Sequence, residues 1–149
     1  ILIGNGGSFS IAQHISAEFT GRFHADRESI PSIVLGSNPS SFSAIANDYG
    51  YENWISEAIK RYHQTSDLVV LISVSGESKN VVNAARTAKD LGLKVITFTG
   101  RDKDNSLKLI GDINFWVDSH AYNVVECIHM IWLTTAIDAI IGKAVYEVS

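Results

Sequence analysis

The stretch DLVVLISVSGES, residues 67–78, indicates the fold class of this chain. Its first seven residues form an apolar run that predicts a strand buried on both faces, as strands of parallel sheets are. Serines at positions 73, 75 and 78 and a glycine at position 76 close the strand where a helix is predicted to begin. A buried strand followed by a short loop and a helix is typical of α/β proteins.

The same alternation extends outward to both ends of the chain. Strands are predicted at residues 1–4, 31–36, 67–73, 93–99 and 113–117, and helices at 8–23, 38–47, 51–62, 78–91, 106–110 and 123–141. Ser8 is the predicted N-cap of the first helix, and Asn38 followed by Pro39 that of the second. The pattern predicts one α/β domain over residues 1–149, with a five-stranded, mostly parallel sheet.

Composition excludes several classes of protein. The chain is 46% apolar and 19% charged, which is typical of a soluble globular domain. A net charge of −4 without a basic block argues against nucleic-acid binding. The single cysteine, Cys127, excludes an internal disulfide and suits a reducing compartment. We therefore expect a cytoplasmic protein without a membrane span. The sequence opens on Ile1-Leu2-Ile3, which reads as the middle of a strand, so we also expect the chain to be a fragment.

A second loop, Gly4-Asn5-Gly6-Gly7-Ser8, follows the first predicted strand. Glycines permit positive φ and close approach of a ligand, while the helix N-terminus behind them offers unpaired N–H groups to a phosphate. Ser8 adds a hydroxyl. The alternative is a tight turn that needs glycines for geometry alone. Because ligands of parallel sheets bind beyond the carboxyl ends of the strands, both loops predict a phosphorylated ligand at one edge.

The spacing of residues in the loops argues against a nucleotide cofactor. The glycine loop does not match G-x-G-x-x-G, because Phe9 occupies the third position. The second predicted strand ends in Leu35-Gly36-Ser37-Asn38, without an acid for a ribose. The chain also has no Gly-Lys-Ser/Thr phosphate loop. No nucleotide is therefore expected.

Together the two loops resemble the SIS (sugar isomerase) family. The loop S-x-S-G-E-S is common to that family, and the segment GNGGS…QHISAEFTGRF, residues 4–23, is similar to bacterial phosphoheptose isomerases. Residues 46–50 (ANDYG), 94–100 (KVITFTG) and 126–129 (E-x-x-H) agree as well. The resemblance implies a three-layer sandwich of flavodoxin-like topology whose N-terminal helical segment is missing here. It also implies a homo-oligomer, a dimer or tetramer, with sites at subunit interfaces.

The resemblance also implies the substrate-binding residues. The hydroxyls of Ser73, Ser75 and Ser78 would hold the phosphate. Val74 replaces a hydroxyl residue of the family, so its phosphate contact would rest on the backbone N–H. The remaining residues that would contact the substrate come from the glycine loop and from the ANDYG segment: Asn5, Gly6, Gly7, Asn47 and Asp48. Arg22 matches a family residue near the site, with a surface ion pair as the alternative.

Catalytic residues are expected on the first and last helices. His14 and Glu18 are four residues apart, on one face of a helix, and match a family pair in which the Glu is catalytic and both can bind zinc. The last helix departs from the family, because Glu126 occupies the position of a Gln and Thr134 that of a catalytic His. We expect Glu18 and Glu126 to be catalytic, and His14, Glu18 and Glu126 to form a zinc site.

The function implied is aldose–ketose isomerisation of sedoheptulose 7-phosphate to a heptose 7-phosphate. Glu-assisted proton transfer through an enediol(ate) would interconvert the two sugars. One alternative is a non-catalytic SIS module that binds a sugar phosphate or a protein partner, which Thr134 favours. Another is isomerisation of a different phosphosugar, such as an amino sugar. His129 is left open between a role beside Glu126 and a packed helix histidine.

Overall fold

Strands and helices alternate along the chain in the computed structural model, which describes residues 1–21 and 28–144. The strands are β1 (Leu2–Gly4), β2 (Leu68–Ser73), β3 (Lys94–Thr99) and β4 (Ile113–Trp116). The helices are α1 (Gly7–Thr20), α2 (Pro39–Tyr49), α3 (Trp54–Tyr62), α4 (Lys79–Asp90), α5 (Ser106–Ile110) and α6 (Tyr122–Ile141). Arg22 and Phe23, at the end of the first predicted helix, lie outside the described residues.

The sheet is parallel in the order β1-β2-β3-β4. The predicted strand at residues 31–36 is only a single parallel bridge from Val34 to Leu2, so the count of five strands is wrong. The pairing is short because β1 has three residues and the neighbouring segment turns away at Gly36, where φ is 96°. With the bridge included, the order in chain sequence is 2-1-3-4-5, which is the predicted flavodoxin-like topology.

Helices cover both faces of the sheet, which gives the predicted three-layer sandwich. Successive strand residues point to opposite sides, so Ile3 and Leu71 face α3, α4 and α5, whereas Leu2 and Ile72 face α1 and α6. Full burial of one such aliphatic side chain contributes about 2 kcal/mol. The two cores therefore hold the carboxyl ends of the strands in a fixed register.

The helix ends confirm one capping prediction and correct another. The Asn38 side chain accepts hydrogen bonds from the backbone N–H groups of Ser40 (3.0 Å) and Ser41 (3.1 Å), as predicted for an N-cap. Ser8 is not the N-cap of α1. Gly6 holds that position with φ 56°, and its carbonyl accepts from Phe9 N (3.0 Å). Positive φ at Gly6 starts the helix earlier and places Ser8 inside its first turn.

Helix α6 is apolar on more than its inner face. A stripe of four residues is buried, namely Val125, His129, Leu133 and Ile137, while Val124, Ile131 and Ile140 are exposed. Among the described residues, α6 is the one helix long and apolar enough to cross a membrane, with a mean hydropathy of 1.7. Length and composition alone are weak evidence for a membrane span, because core helices of soluble proteins can be equally long and apolar.

His129 lies fully buried between α6 and the end of β3. Its Nε2 donates to the carbonyl of Thr99 (3.0 Å), and its ring contacts Phe98 and Trp132. A carbonyl can only accept, so the proton lies on Nε2, and Nδ1 has no partner among the described residues. His129 is thus a packed helix histidine. Burial lowers its pKa below the ordinary value, opposed by the Thr99 bond.

We expect acidification to destabilise the fold through His129. Because its pKa is lowered in the folded chain, the contribution is complete above the ordinary value of 6.5. Below that pH the His129 imidazole is protonated in the unfolded chain but stays neutral in the folded chain. The free energy of unfolding therefore falls by up to about 1.4 kcal/mol per pH unit. Denaturant unfolding at a series of pH values measures this slope.

The matched variants are His129→Gln, whose amide can still donate to Thr99, and His120→Gln, which alters an exposed histidine. The slope should flatten in the first and stay unchanged in the second. Equal slopes in the wild type and His129→Gln contradict the assignment.

Candidate active site

The two predicted loops meet at the carboxyl ends of β1 and β2. They enclose a cavity of about 80 Å³ whose described lining comes from both loops, the end of β2 and α6: Asn5, Ser8, Ile72, Ser73, Val74, Ser75, Ser78, Tyr122 and Glu126. Strand order reverses between these two strands, so the chain leaves them toward opposite sides and opens a crevice. The sheet topology therefore creates this cavity.

The serine loop, residues 73–78, is folded so that its hydroxyls converge. Ser73 Oγ accepts from Gly76 N (3.3 Å) and donates to Ser78 Oγ (3.4 Å), while Ser75 Oγ accepts from Glu77 N (3.2 Å). Ser78 is also the N-cap residue of α4. The first turn of α4, with its unpaired N–H groups and partial positive charge, therefore begins at the cavity.

Val74 lines this cavity but brings no hydroxyl to it. Its side chain is buried with those of Val117 and Val125, and its carbonyl accepts from Gly100 N (2.9 Å). The valine that replaces a hydroxyl residue of the family thus serves the core.

Glu77 and Asn105, which the sequence did not single out, anchor the serine loop. The Glu77 carboxylate accepts from Ser106 N (2.6 Å) and Ser106 Oγ (2.8 Å) at the start of α5. Asn105 is 1% exposed and lies against Gly76, where a Cβ would be 2.8 Å from the Asn105 Cβ. Gly76 also has φ 66°. Glu77 and Ser106 are 29 residues apart, so no local pattern indicates this contact.

The glycine loop lets two side chains pack directly on its backbone. A Cβ at Gly4 would lie 2.6 Å from the Ser8 Cβ, and one at Gly7 would lie 2.6 Å from the carboxyl carbon of Glu126. The carboxylate of Glu126 therefore lies against the first turn of α1. The positive end of a helix stabilises an anion there, which explains how an acid is accommodated beside a cavity suited to phosphate.

His14 and Glu18 lie on one face of α1, as predicted, with 4.0 Å between Nε2 and Oε1. However, Glu18 follows Gly7 by eleven residues, which places it about 16 Å farther along the helix axis. Glu126 abuts Gly7, so the predicted zinc set of His14, Glu18 and Glu126 is not assembled within one chain. No group of three His, Cys, Asp or Glu in the described ranges could hold a metal ion.

Two other predicted positions lie away from the cavity. Asn47 and Asp48 are exposed at the end of α2, where Asn47 Nδ2 donates to Asp48 Oδ1 (3.0 Å), and the cavity lining among described residues does not include them.

Thr134 turns its hydroxyl back to its own helix, to the carbonyls of Met130 (2.9 Å) and Ile131 (3.0 Å). It offers no titratable group in place of the expected His.

Comparison with known proteins gives consistent results. The SIS domain model matches residues 1–100. A phosphoheptose isomerase from Aliarcobacter butzleri is 41% identical over 132 residues, which covers 89% of this chain and 69% of the relative. The solved phosphoheptose isomerase of Francisella tularensis has a TM-score of 0.88 at 29% identity, covering 95% of this chain and 76% of that one. The enzyme from Neisseria gonorrhoeae gives 0.85 at 30%, covering 95% and 75%.

Removal of the Glu77 anchor should loosen the serine loop. We expect Glu77→Ala to lower the free energy of unfolding by about 1–2 kcal/mol and to weaken inorganic phosphate binding several-fold, because two hydrogen bonds to a charged acceptor are lost. Chemical denaturation and a phosphate titration measure the two effects. Glu52→Ala, an exposed acid outside the loop, is the control. Unchanged phosphate affinity in Glu77→Ala contradicts the anchoring role.

Proposed function

This chain belongs to the SIS domain family, and we propose that its cavity holds the phosphate of sedoheptulose 7-phosphate while the enzyme converts that ketose to a heptose 7-phosphate. The chain is an aldose–ketose isomerase of the phosphoheptose type. The observation that carries the proposal is the meeting of both loops and Glu126 around one cavity.

The cavity has the size and donors for a phosphate group. About 80 Å³ accommodates a phosphate but not a seven-carbon chain, so the sugar would extend outward past Tyr122, which is 54% exposed. Four serine hydroxyls, the Asn5 amide and the first turns of α1 and α4 supply donors. Neither Lys nor Arg is among the described lining residues, so helix N-termini and hydroxyls would balance the charge.

Proton transfer between C1 and C2 requires a base at the carbon and an acid near the oxygens. Glu126 is the one carboxylate in the described lining of the cavity. We assign it one of these roles, which requires the sugar to fold back so that C1 and C2 lie at the mouth of the cavity that holds the C7 phosphate. Glu18 is about 16 Å from the start of α1. It can therefore act on the same substrate only if that substrate is anchored in another subunit. The proposed active site is thus shared between subunits of a homo-oligomer.

The outward face of α6 supports assembly. Val124, Ile131 and Ile140 are exposed on a helix that carries one acidic side chain near each end and no Lys or Arg. A second copy of the chain would remove these side chains from water, at about 25 cal/mol per Å² of apolar surface. The choice between dimer and tetramer and the cytoplasmic location stay predictions.

Two inactive variants should restore each other if the site is shared. We expect Glu18→Gln and Glu126→Gln each to lose at least about 100-fold in kcat, because each removes an acid–base group. In randomly mixed oligomers, about a quarter of the sites would receive Glu18 from one variant and Glu126 from the other. Activity should therefore return toward about a quarter of the wild-type value, as measured by aldose formation.

Each variant taken through the same unfolding and reassembly alone is the control. Absence of recovery in mixed oligomers, with both variants folded, contradicts a shared site.

Zinc is a separate matter. Within one chain His14 and Glu18 supply two ligands and Glu126 is remote, so the described residues of a single chain do not complete a site for the ion. The zinc site stays a prediction.

A non-catalytic module is the second candidate, because Thr134 bonds to its own helix where a catalytic His is expected. Incubation of the protein with sedoheptulose 7-phosphate, followed by NMR, separates the two. We expect aldose to accumulate, and to fail to do so with Glu126→Gln. Binding of the sugar phosphate without turnover, with and without added zinc, favours the module.

A further inference from the structure

Asn80, the second residue of α4, is buried beneath the glycine loop, with 2% exposure. Its Nδ2 donates to Asn5 Oδ1 (3.0 Å), and its Oδ1 accepts from Asn5 Nδ2 (3.0 Å). The two side-chain amides thus form a closed pair across 75 residues of sequence. A buried amide is costly without partners, so this pair satisfies Asn80 while it joins the glycine loop to the helix behind the serine loop.

The orientation of this pair is not arbitrary. Oδ1 of Asn80 also accepts from the backbone N–H of Val81 (3.0 Å), which is shared with the Ser78 carbonyl (2.9 Å). A backbone N–H can only donate, so it fixes which end of the Asn80 amide is oxygen. That assignment in turn fixes the Asn5 amide, because donor and acceptor must alternate around the pair.

Among the described residues, Asn5 is left with one donor that has no partner. An asparagine amide has two N–H donors and an oxygen with two lone pairs. Asn5 Oδ1 accepts from Asn80 and from the Tyr51 hydroxyl (3.2 Å), and Nδ2 gives one N–H to Asn80. The second N–H points away from the pair, and Asn5 lines the cavity beside Ser8 and Ser73. With the amide reversed, an oxygen would replace this donor and repel a phosphate.

We infer that Asn80 is a positioning residue, which holds the Asn5 amide so that it presents an N–H and not an oxygen to the substrate phosphate. The inference rests on the phosphate site of the proposed function, which it deepens by assigning the orientation of one donor. Asn80 does not touch the ligand. Its effect on phosphate affinity must therefore pass through Asn5, and this distinguishes positioning from a purely structural role.

A double-mutant cycle tests this dependence. The probe is inorganic phosphate, titrated into the assembled protein and followed by ³¹P NMR, for the wild type, Asn5→Ala, Asn80→Ala and the double variant. We expect Asn80→Ala to weaken binding about tenfold, the loss of one hydrogen bond to a charged group. In the Asn5→Ala background, the same change should weaken binding less than about twofold, since no donor is left to misplace.

Steady-state kinetics give a second readout. An interaction with the non-reacting phosphate is the same in ground and transition states, so Asn80→Ala should raise KM with little change in kcat. Asn83→Ala removes another amide from α4, one that donates to Glu52 O (3.1 Å), and should leave phosphate affinity unchanged.

Asn80→Asp provides a second cycle if Asn80→Ala does not fold, since it keeps the shape and the acceptor for Val81. Any direct effect of its charge persists in the Asn5→Ala background and is subtracted.

Three results would overturn the inference: wild-type phosphate affinity in both Asn80 variants, equal weakening with and without Asn5, or undiminished affinity in Asn5→Ala. Phosphate binding with the expected coupling but without turnover of sedoheptulose 7-phosphate would refute the isomerase function alone.

Discussion

The parallel pairing of β1 with β2 is the constraint on which the rest of the structure depends. Gly4 lies beside Ile72 in this register, so the glycine and serine loops leave the sheet side by side although they are about 70 residues apart. Strand order reverses at the same place, which opens the crevice. A shift of this register by one residue would exchange the core faces of β1 and separate the hydroxyls from Asn5.

Electrostatics then determine what the crevice accepts. Two helix N-termini and a set of hydroxyls converge where the described lining has no Lys or Arg. Glu126 of α6 adds an acid, which contacts the backbone of Gly7 at the start of α1. This combination suits a bound phosphate beside a group able to move a proton, which is the requirement of a phosphosugar isomerase. The Thr134 hydroxyl, in contrast, donates to carbonyls of its own helix.

Patterns that act locally were visible in the sequence. The apolar run of β2, the glycines of the first loop and the Asn38-Pro39 cap predicted elements that the structure confirms. What the sequence could not show were distances between elements in space. The fifth strand is only a bridge because β1 is short. The separation of Glu18 from Glu126 by helical rise was not visible in the sequence either, and it leaves the zinc site implied by the resemblance as a prediction.

By itself, the sequence determined the fold class and the two loops that form the cavity, because each depends on neighbouring residues and on hydrophobic periodicity. The motifs in those loops also carried the resemblance to the family. Tertiary structure alone decided the contacts between distant residues. These are the amide pair of Asn5 and Asn80, the anchor from Glu77 to Ser106 and the packed state of His129. Such contacts depend on how strands and helices are placed in space, and a linear pattern carries no record of that placement.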